Sequence, residues 1–414
     1  MIQNNALKEL VARGLIKQST DIAVLDKMMN EHKAIYCGFD PTADSLHVGS
    51  LLPLTVMKVL RKHGVRVIAL VGGATGRIGD PSFKAQERNM LDEKTVEQNI
   101  EGITKVIHQV LGDDVKVVNN YNWVKDISML EFLRVYGKCF TVNNMVNKES
   151  VRQRIERPDQ GISFTEFSYP ILQGLDFEHL FEMHDCTMQM GGSDQWGNMV
   201  AGMEVIHKLQ GNDKECGVFT LPLLTKEDGT KFGKSESGTV WLSSDKTSPF
   251  EMFQFWKNIT DAETVKMFQY FKPLGGSVED FEVRLNNNPT KVKTMFALGM
   301  VELIHGERIA CDVMDLAYAL FEGKFSFETD ELEKFIGAGL EECEWTTNLV
   351  ETLVSSGLAT SRKMAREFIK NNAVKVNGEV VGEDFDVESI LTIPSELFLL
   401  QRGRKNFVVI RIGE

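Results

Sequence analysis

A loop with two lysines and two glycines, GTKFGKS at residues 229–235, carries the residue types that bind phosphate. It resembles a P-loop, but a P-loop has four residues between its first glycine and the Gly-Lys pair, and this loop is one residue short. Lys231 and Lys234 in such a loop favour a mobile clamp on a triphosphate over a rigid phosphate cradle. The alternative is an exposed basic loop that binds no ligand.

The segment YCGFDPTADSLHVGS, residues 36–50, reads as a buried strand that ends in a turn and then enters a helix. Asp40 and Thr42 flank the proline of the turn, and His47 and Gly49 stand at the start of the helix. An ordinary strand–turn–helix corner with a surface histidine explains most of these residues. A nucleotide-binding corner is the functional alternative.

The glycine-rich segment GGATGRIGDPS, residues 72–82, does not spell G-x-G-x-x-G, so a dinucleotide site has little support. Its glycines still permit a ligand to approach the backbone closely, and Asp80 can serve as a fixed acceptor there. Lys84 and Arg88 follow, four residues apart. They are a second candidate phosphate clamp, or simply surface charges.

The pattern FTEFSYPILQGLDFEHL, residues 164–180, places polar side chains on one helical face. Pro170 predicts the first turn of a helix, on which Tyr169, Gln173 and Asp176 follow at i, i+4 and i+7. A hydroxyl, an amide and a carboxylate can together bind an amino group and a phenolic hydroxyl. A solvent-exposed amphipathic face is the alternative.

A polar loop, GGSDQWGN at residues 191–198, presents Asp194 and Gln195 after a glycine pair. Loops of this kind occur at ligand sites and equally in plain turns. The chain has no H-E-x-x-H or G-x-S-x-G motif, which leaves protease and hydrolase functions without support. A carboxylate that attacks ATP is already ionised at pH 7 and needs no general base, so the absence is compatible with such a reaction.

The elements that position these residues form a strand–helix–strand unit. Strands are predicted at 34–39 and 65–73, with a helix from about 49 to 61 between them. This predicts an open α/β sheet whose ligands bind beyond the carboxyl ends of its strands. Residues 85–190 read as mostly helical, and from 246 a helical domain begins at a capping box with Ser248 and Glu251. A poorly periodic acidic stretch to about 350 reads as a linker.

The last 60 or so residues predict a separate small module. It has a helix at about 361–371 and two short strands joined by Asn377-Gly378, a strong hairpin signal. Two basic clusters on an otherwise acidic chain favour RNA binding, although solvated basic faces are the alternative. They consist of Arg362, Lys363, Arg366 and Lys370, and of Arg402, Arg404 and Lys405.

Bulk properties set limits on these predictions. The 414 residues predict two or three domains, and the net charge of −13 argues against coating of nucleic acid or membrane by overall charge. The six cysteines show no metal-ligand spacing, so no protein-bound metal is predicted. No secretory signal or long apolar window is present in the sequence, and the cytoplasm is the expected compartment.

Taken in order and spacing, five motifs resemble those of bacterial-type tyrosyl-tRNA synthetases, which are class I aminoacyl-tRNA synthetases. The motifs are YCGFDPTADSLHVGS, ALVGGATGRIGDPS, GISFTEFSY, GGSDQWGN and DGTKFGKSESGTVWL. The resemblance extends to LIHGE and to the terminal module, which is similar to an RNA-binding module shared with a ribosomal protein. It covers nearly the whole chain.

The resemblance implies an α/β fold of four parts. A Rossmann-type catalytic domain spans 1–245, with a helical insertion at about 85–190 that forms a homodimer interface. A helical anticodon-binding domain spans 246–325, a linker 326–350 and the small α+β RNA-binding domain 351–414.

The resemblance also assigns site residues. Asp176 and Tyr36 would meet the phenol of tyrosine, and the amino group would lie among Asp80, Tyr169 and Gln173, with Gln189 completing the pocket. The adenylate set comprises Cys37, Gly38, Asp40, Gly49, Ser50, Asp194, Gln195 and Lys234. The catalytic set comprises Thr42, His47, Lys84, Arg88, Lys231, Lys234 and Ser235.

The implied reaction joins L-tyrosine to tRNA(Tyr) in two steps, with ATP and Mg²⁺ as a substrate pair. Tyrosyl-adenylate and pyrophosphate form first, and the 3′-terminal ribose of the tRNA then takes the tyrosyl group. A tryptophanyl enzyme, a P-loop NTPase and a non-catalytic RNA-binding protein are the alternatives. The family usually has H-x-G-H at residues 47–50, and Ser50 replaces the second histidine here.

Overall fold

The computed structural model describes residues 2–80, 91–148, 151–152, 155–156, 161–225, 232–235, 238–322, 329–387, 397–403 and 406–413, without the side chains of residues 234–235 and 321–322. The chain divides into two units, 1–243 with 266–272, and 244–265 with 273–414. The domain boundaries expected near 245, 325 and 350 stay predictions.

The first unit contains both helices and strands. The helices are α1 (Asn5–Ala12), α2 (Ile22–Asn30), α3 (Val48–Lys62), α4 (Thr75–Ile78), α5 (Glu93–Leu111), α6 (Tyr121–Val124), α7 (Met129–Glu131), α8 (Val142–Val146), α9 (Phe164–His184) and α10 (Trp196–Gln210). A π-helical turn lies at Phe132–Tyr136, with 3-10 turns at Gly137–Cys139 and Ser193–Gln195. The strands are β1 (Gln18–Ser19), β2 (Ala34–Phe39), β3 (Arg66–Val71), β4 (Lys116–Asn119), β5 (Cys186–Gly192), β6 (Gly217–Leu221), β7 (Lys234–Ser235) and β8 (Gly238–Thr239).

Six of these strands form one sheet in the order β1-β6-β5-β2-β3-β4. Only β1 runs antiparallel to its neighbour. The runs AIYCGF and RVIALV are almost entirely buried, as strands covered on both faces require. The prediction of an open, mostly parallel α/β sheet is confirmed.

The strand order reverses at β2, which pairs with β3 on one side and β5 on the other. At such a reversal the loops that leave the two carboxyl ends diverge and open a crevice between them. The loops after β2 and β5 are the DPTADSLHVGS and SDQ segments. The topology therefore brings two of the sequence motifs to one place.

The stretch of 85–190 that reads as mostly helical also contains all of β4 and the first five residues of β5. β4 is only four residues long and has the apolar signal of two adjacent valines, and β5 has seven residues and follows directly on a long helix. Pairing with β3 and β2 decides their conformation more than local propensity does.

Helix α9 begins earlier than expected. Ser163 accepts a hydrogen bond from the Glu166 amide and caps the helix, so Pro170 lies inside α9 and the prediction that it marks the first turn is wrong. A serine followed three residues later by a glutamate is itself a capping signal. The predicted face is unaffected, because Tyr169, Gln173 and Asp176 keep their helical spacing.

Helix α5 anchors the corner between β2 and α3. The Asn99 amide donates to the Pro41 carbonyl at 3.0 Å. A Cβ built on Gly102 would lie 1.9 Å from the Asp44 carbonyl oxygen. Only glycine permits this approach of helix to backbone, so α5 fixes the loop that carries Thr42 and His47.

The second unit begins with helices and ends in a sheet. Its helices are α11 (Pro249–Asn258), α12 (Asp261–Phe271, assigned to the first unit from residue 266), α13 (Val278–Asn287), α14 (Pro289–His305), α15 (Glu307–Glu322), α16 (Thr329–Gly337), α17 (Leu349–Ser355) and α18 (Arg362–Lys370). The capping box at Ser248 and Glu251 is confirmed. Gly306, at φ 88°, separates α14 from α15.

The sheet of the second unit has the order β11-β10-β12-β13-β9. Its strands are β9 (Glu342–Glu344), β10 (Val374–Val376), β11 (Glu379–Val380), β12 (Leu397–Arg402) and β13 (Asn406–Arg411). The two-residue hairpin at Asn377-Gly378 is confirmed, with positive φ at both residues. The stretch expected as a linker contains α16 and β9, and β9 pairs in parallel with β13.

Replacing Gly102 by alanine should destabilise the first unit. The added methyl would overlap backbone, which cannot rotate away, and overpacking of this kind costs about 1–3 kcal/mol. The transition temperature measured by calorimetry should fall. Gly197→Ala is the matched control, since a Cβ at Gly197 meets no atom within 4 Å in the part of the chain that the structure describes. Equal transition temperatures for the two variants would contradict the close approach.

Candidate active site

A cavity of about 790 Å³ opens at the carboxyl ends of β2 and β5. It collects residues that the sequence analysis drew from separate motifs. From the predicted tyrosine and nucleotide sets, its lining includes Tyr36, Cys37, Gly38, Asp40, Thr42, His47, Gly49, Ser50, Asp80, Tyr169, Gln173, Asp176, Gln189, Asp194 and Gln195.

The floor of the cavity carries polar atoms that lack partners. Tyr36 on β2 and Gln189 on β5 are directly opposite in the parallel register, and both are buried. The Tyr36 hydroxyl and the side-chain carbonyls of Gln189 and Gln173 have no hydrogen-bond partner in the described part of the chain. Buried polar atoms are normally paired, so these three define a place for a polar ligand.

Asp176 supplies a carboxylate at the same buried end. One of its oxygens accepts from the Asn120 amide and the other from the Trp123 indole N–H, both at 2.9 Å. Burial raises the pKa of the Asp176 carboxyl to about 7, although these two hydrogen bonds lower it. Burial, and then the charge of Asp176, also raise the pKa of Tyr36 well above its usual value. The phenol of Tyr36 therefore stays protonated beside Asp176.

A second polar cluster uses Asp40 and Asp80. The Tyr169 hydroxyl donates to Asp40 at 3.0 Å, and the Thr75 hydroxyl donates to the other Asp40 oxygen at 2.9 Å. The Gln195 amide donates to Asp80 at 2.8 Å. This side of the cavity is acidic and suits a cationic group. Asp40, predicted in the adenylate set, is bonded to a residue of the tyrosine set.

His47 caps the start of α3. Its Nδ1 accepts from the Gly49 amide at 2.9 Å, so the neutral ring carries its proton on Nε2. A Cβ on Gly49 would lie 2.5 Å from the imidazole Cε1, which explains the glycine. The positive end of the dipole of α3 also lies here, and it favours an anion.

The same corner is bonded to the loop that carries Lys234. The Val48 amide donates to the Val240 carbonyl at 3.0 Å, and the Val240 amide donates to the Gly233 carbonyl at 2.9 Å. Lys234 and Ser235 pair with Thr239 and Gly238 as a short hairpin. The backbone at Gly233, within the KFGKS motif, therefore lies close to the His47 corner. Lys84, Arg88 and Lys231 fall outside the described residues, as do the side chains of Lys234 and Ser235.

Three residues of the site were not predicted. Thr75, Asn120 and Trp123 orient Asp40 and Asp176, and Asn120 also donates to the Thr75 hydroxyl at 3.1 Å. Asn120 directly follows β4 and reaches the cavity-lining Asp176 from the carboxyl end of that strand. Recognising the short KVVN run as a strand would have pointed to it.

Cys37 and Gly38 lie near the carboxyl end of β2 and line the cavity. Burial raises the pKa of the Cys37 thiol to about 12, so it remains a neutral thiol. A Cβ on Gly38 would meet no atom of the described residues within 4 Å, and its φ is not in the left-handed region. The protein itself does not require glycine here, whereas a ligand that packs on the strand would.

The predicted RNA-binding residues lie in the second unit. Arg362 pairs with Glu351 at 2.7 Å and Arg366 with Glu383 at 2.8 Å. Lys363 and Lys370 are exposed and make no ion pair with any described residue. The Arg402 guanidinium lies 5.0 Å from the centre of the Phe368 ring. Arg404 and Lys405 are outside the described residues.

Within the described ranges, no group of three or more His, Cys, Asp or Glu residues is arranged to hold a metal ion. The described helices include none with the length and apolar character needed to span a membrane.

Comparisons with known proteins agree with the geometry. A family described as "tRNA synthetases class I (W and Y)" matches residues 28–322, and the "Tyrosine--tRNA ligase SYY-like C-terminal domain" matches 333–410. The chain is 40% identical to "Tyrosine--tRNA ligase 2" of Bacillus anthracis, over 99% of this chain and 100% of that protein. It is 41% identical to "Tyrosine--tRNA ligase" of Staphylococcus carnosus, over 99% of each.

A solved structure is similar as well. The C-terminally truncated Aspergillus nidulans mitochondrial tyrosyl-tRNA synthetase aligns with a TM-score of 0.68 at 28% identity, covering 77% of this chain and 95% of that one. The first family model spans tryptophan and tyrosine enzymes, but the C-terminal domain and the full-length relatives separate the two. The chain therefore belongs to the class I tRNA synthetase family, among its tyrosine–tRNA ligases.

Proposed function

We propose that this chain attaches L-tyrosine to tRNA(Tyr) with ATP. The observation that carries the proposal is the closed end of the cavity, where the unpaired Tyr36 hydroxyl and the Asp176 carboxylate lie together. A phenolic hydroxyl between them can donate to Asp176 and accept from Tyr36. Phenylalanine would leave both groups buried and unpaired, and a tyrosyl-tRNA synthetase is the standard example of this kind of rejection.

The acidic side of the cavity binds the other end of tyrosine. Its ammonium group would lie near Asp80, Tyr169 and the unpaired Gln173 carbonyl. The substrate then spans two charged clusters, one for each end. The carboxylate is on the same carbon as the ammonium group and would face Cys37, Asp194 and Gln195, which would hold the adenylate.

In the first step a carboxylate oxygen of tyrosine bonds to the α-phosphorus of ATP while the bond from that phosphorus to the bridging oxygen of pyrophosphate breaks. The attacking group is already an anion, so catalysis rests on positioning and on charge that develops at the phosphates. His47, through its Nε2–H, and Thr42 would contact the triphosphate. Lysines at 84, 231 and 234, with Arg88 and Ser235, would close on it in the transition state.

Mg²⁺ would accompany ATP as part of the substrate. The described residues offer no set of ligands for a resident ion, and Mg²⁺ is commonly bound through phosphates and water with few protein ligands. In the second step a terminal ribose hydroxyl of the tRNA takes the tyrosyl group and AMP leaves.

A homodimer is also part of the proposal. Met129, Leu130, Leu133 and Val142 are large apolar side chains that are all exposed in the segment around α7 and α8. Apolar groups concentrated in this way on a surface favour a protein interface. A second copy of this chain is the partner expected for that segment.

The reaction is tested by ATP–pyrophosphate exchange with each amino acid in turn. Tyrosine should support exchange, and phenylalanine and tryptophan should not. Exchange with tryptophan would indicate a tryptophanyl enzyme, phosphate release without any amino acid an NTPase, and no exchange at all a non-catalytic RNA-binding protein. Each of these outcomes contradicts the proposal.

Tyrosine affinity should rise with pH. With a pKa near 7, Asp176 is ionised in about one tenth of molecules at pH 6 and about nine tenths at pH 8, while the phenol of the ligand, with a pKa of about 10, stays protonated. The dissociation constant, measured by equilibrium dialysis without ATP, should fall by up to about tenfold across this range. Asp176→Asn should bind weakly at every pH. A pH-independent wild type would refute the role of the Asp176 carboxylate.

Lys363→Ala combined with Lys370→Ala should weaken tRNA binding. Arg362 and Arg366 are already paired with carboxylates, so the two lysines are the freer cations of this helix. The slope of log K for tRNA binding against log salt concentration should become less steep by about 2, because two phosphate contacts are lost. Tyrosine-dependent exchange should be unchanged.

The charge-matched control is Lys94→Ala with Lys105→Ala, two exposed residues of α5. Filter binding across a salt series measures the slopes. Equal slopes for the two double variants would contradict the proposal that α18 binds RNA.

A further inference from the structure

A stacked ring pair lies behind the tyrosine end of the cavity. The rings of Trp123 on α6 and His179 on α9 have centroids 4.3 Å apart and planes inclined by 17°. His179 follows Asp176 by three residues, so it lies one turn further along the same side of α9. Neither ring lines the cavity, but the Trp123 N–H bonds directly to Asp176.

The stacking matters because of the direction of the indole N–H. An indole donates only in its own plane, so tilting the ring moves the hydrogen away from the carboxylate. Trp123 is half-buried, on the short helix Tyr121–Val124. The imidazole face of His179 restricts the tilt of the ring.

We propose that His179 is a positioning residue for tyrosine recognition, holding the Trp123 indole so that its N–H stays bonded to Asp176. This inference rests on the proposed function, in which Asp176 accepts a hydrogen bond from the phenolic hydroxyl of tyrosine. His179 itself does not line the cavity, and it acts through Trp123.

The charge state of the ring suits this role. Burial, and then the neighbouring His184, lower the pKa of His179, although Glu182 opposes them. The ring is therefore neutral at pH 7 and stacks on the indole without adding a cation near Asp176. Burial, and then Lys116 and Arg66, lower the pKa of His184 too, so the cluster resists protonation.

Removing the stack should change how Asp176 titrates. In His179→Ala the indole donates less often, so the ionised carboxyl loses part of a hydrogen bond that stabilises it. The midpoint of tyrosine binding against pH should move upward, and affinity at pH 7 should fall about threefold to tenfold, the range set by losing part of one hydrogen bond to a charged group. His179→Phe keeps a flat ring against the indole and should restore both values.

The experiment measures tyrosine dissociation constants from pH 6 to 9 for wild type, His179→Ala and His179→Phe. Trp123→Phe and the double variant Trp123→Phe with His179→Ala complete a cycle, because phenylalanine in place of the tryptophan keeps an aromatic ring but has no N–H to position. In that background His179→Ala should have little further effect. His108→Ala, on α5, is the control, and calorimetry checks folding.

An upward shift in His179→Ala, rescue by phenylalanine and a cycle that is not additive support the positioning role. The inference is overturned if His179→Ala binds like wild type, if His179→Phe is equally impaired, or if His179→Ala has its full effect without the indole N–H. A wild type that binds no tyrosine would instead overturn the proposed function, and this inference with it.

Discussion

Burial of the Asp176 carboxyl is the constraint on which the tyrosine end of the site depends. A buried carboxylate is unfavourable unless donors surround it, and here Asn120 and Trp123 each give one hydrogen bond. Asn120 directly follows β4, an edge strand of the sheet, and Trp123 lies on α6, the short helix that comes next. Both elements are therefore required to complete this end of the cavity. Even so, burial holds the pKa of Asp176 near 7, which means that the charge is only partly stabilised before a ligand arrives.

The sheet and the close-packed glycines explain how polar groups from distant parts of the sequence reach one cavity. The reversal of strand order places Tyr36 and Gln189 side by side, although they lie far apart along the chain. Gly72 has no room for a Cβ, which would lie 2.3 Å from both Asp40 and Thr75. Gly49 and Gly102 act similarly at the His47 corner. At these three glycines the backbone approaches neighbouring atoms more closely than a side chain would permit.

Much of this could be predicted from sequence, for identifiable reasons. The buried strands at 34–39 and 65–73 are long apolar runs, and helical spacing alone put Tyr169, Gln173 and Asp176 on one face. Asn120 and Trp123 were missed because β4 is four residues long and is specified by its pairing with β3. The start of α9 was misplaced because proline was given more weight than the Ser163 and Glu166 cap. In each case a tertiary contact or a competing local signal decided the conformation.

The raised pKa of Asp176 links stability to recognition. A carboxyl whose folded pKa lies above its unfolded value of about 3.9 binds protons more tightly in the folded state, so it lowers stability as pH rises from about 4 to 7. Above that range the empty protein carries an ionised group that folding disfavours, next to the unpaired hydroxyl of Tyr36. A phenol that donates to Asp176 and accepts from Tyr36 relieves both penalties at once. A ligand without the hydroxyl relieves neither, so under the proposed function the free energy released on pairing these two groups would favour tyrosine over phenylalanine.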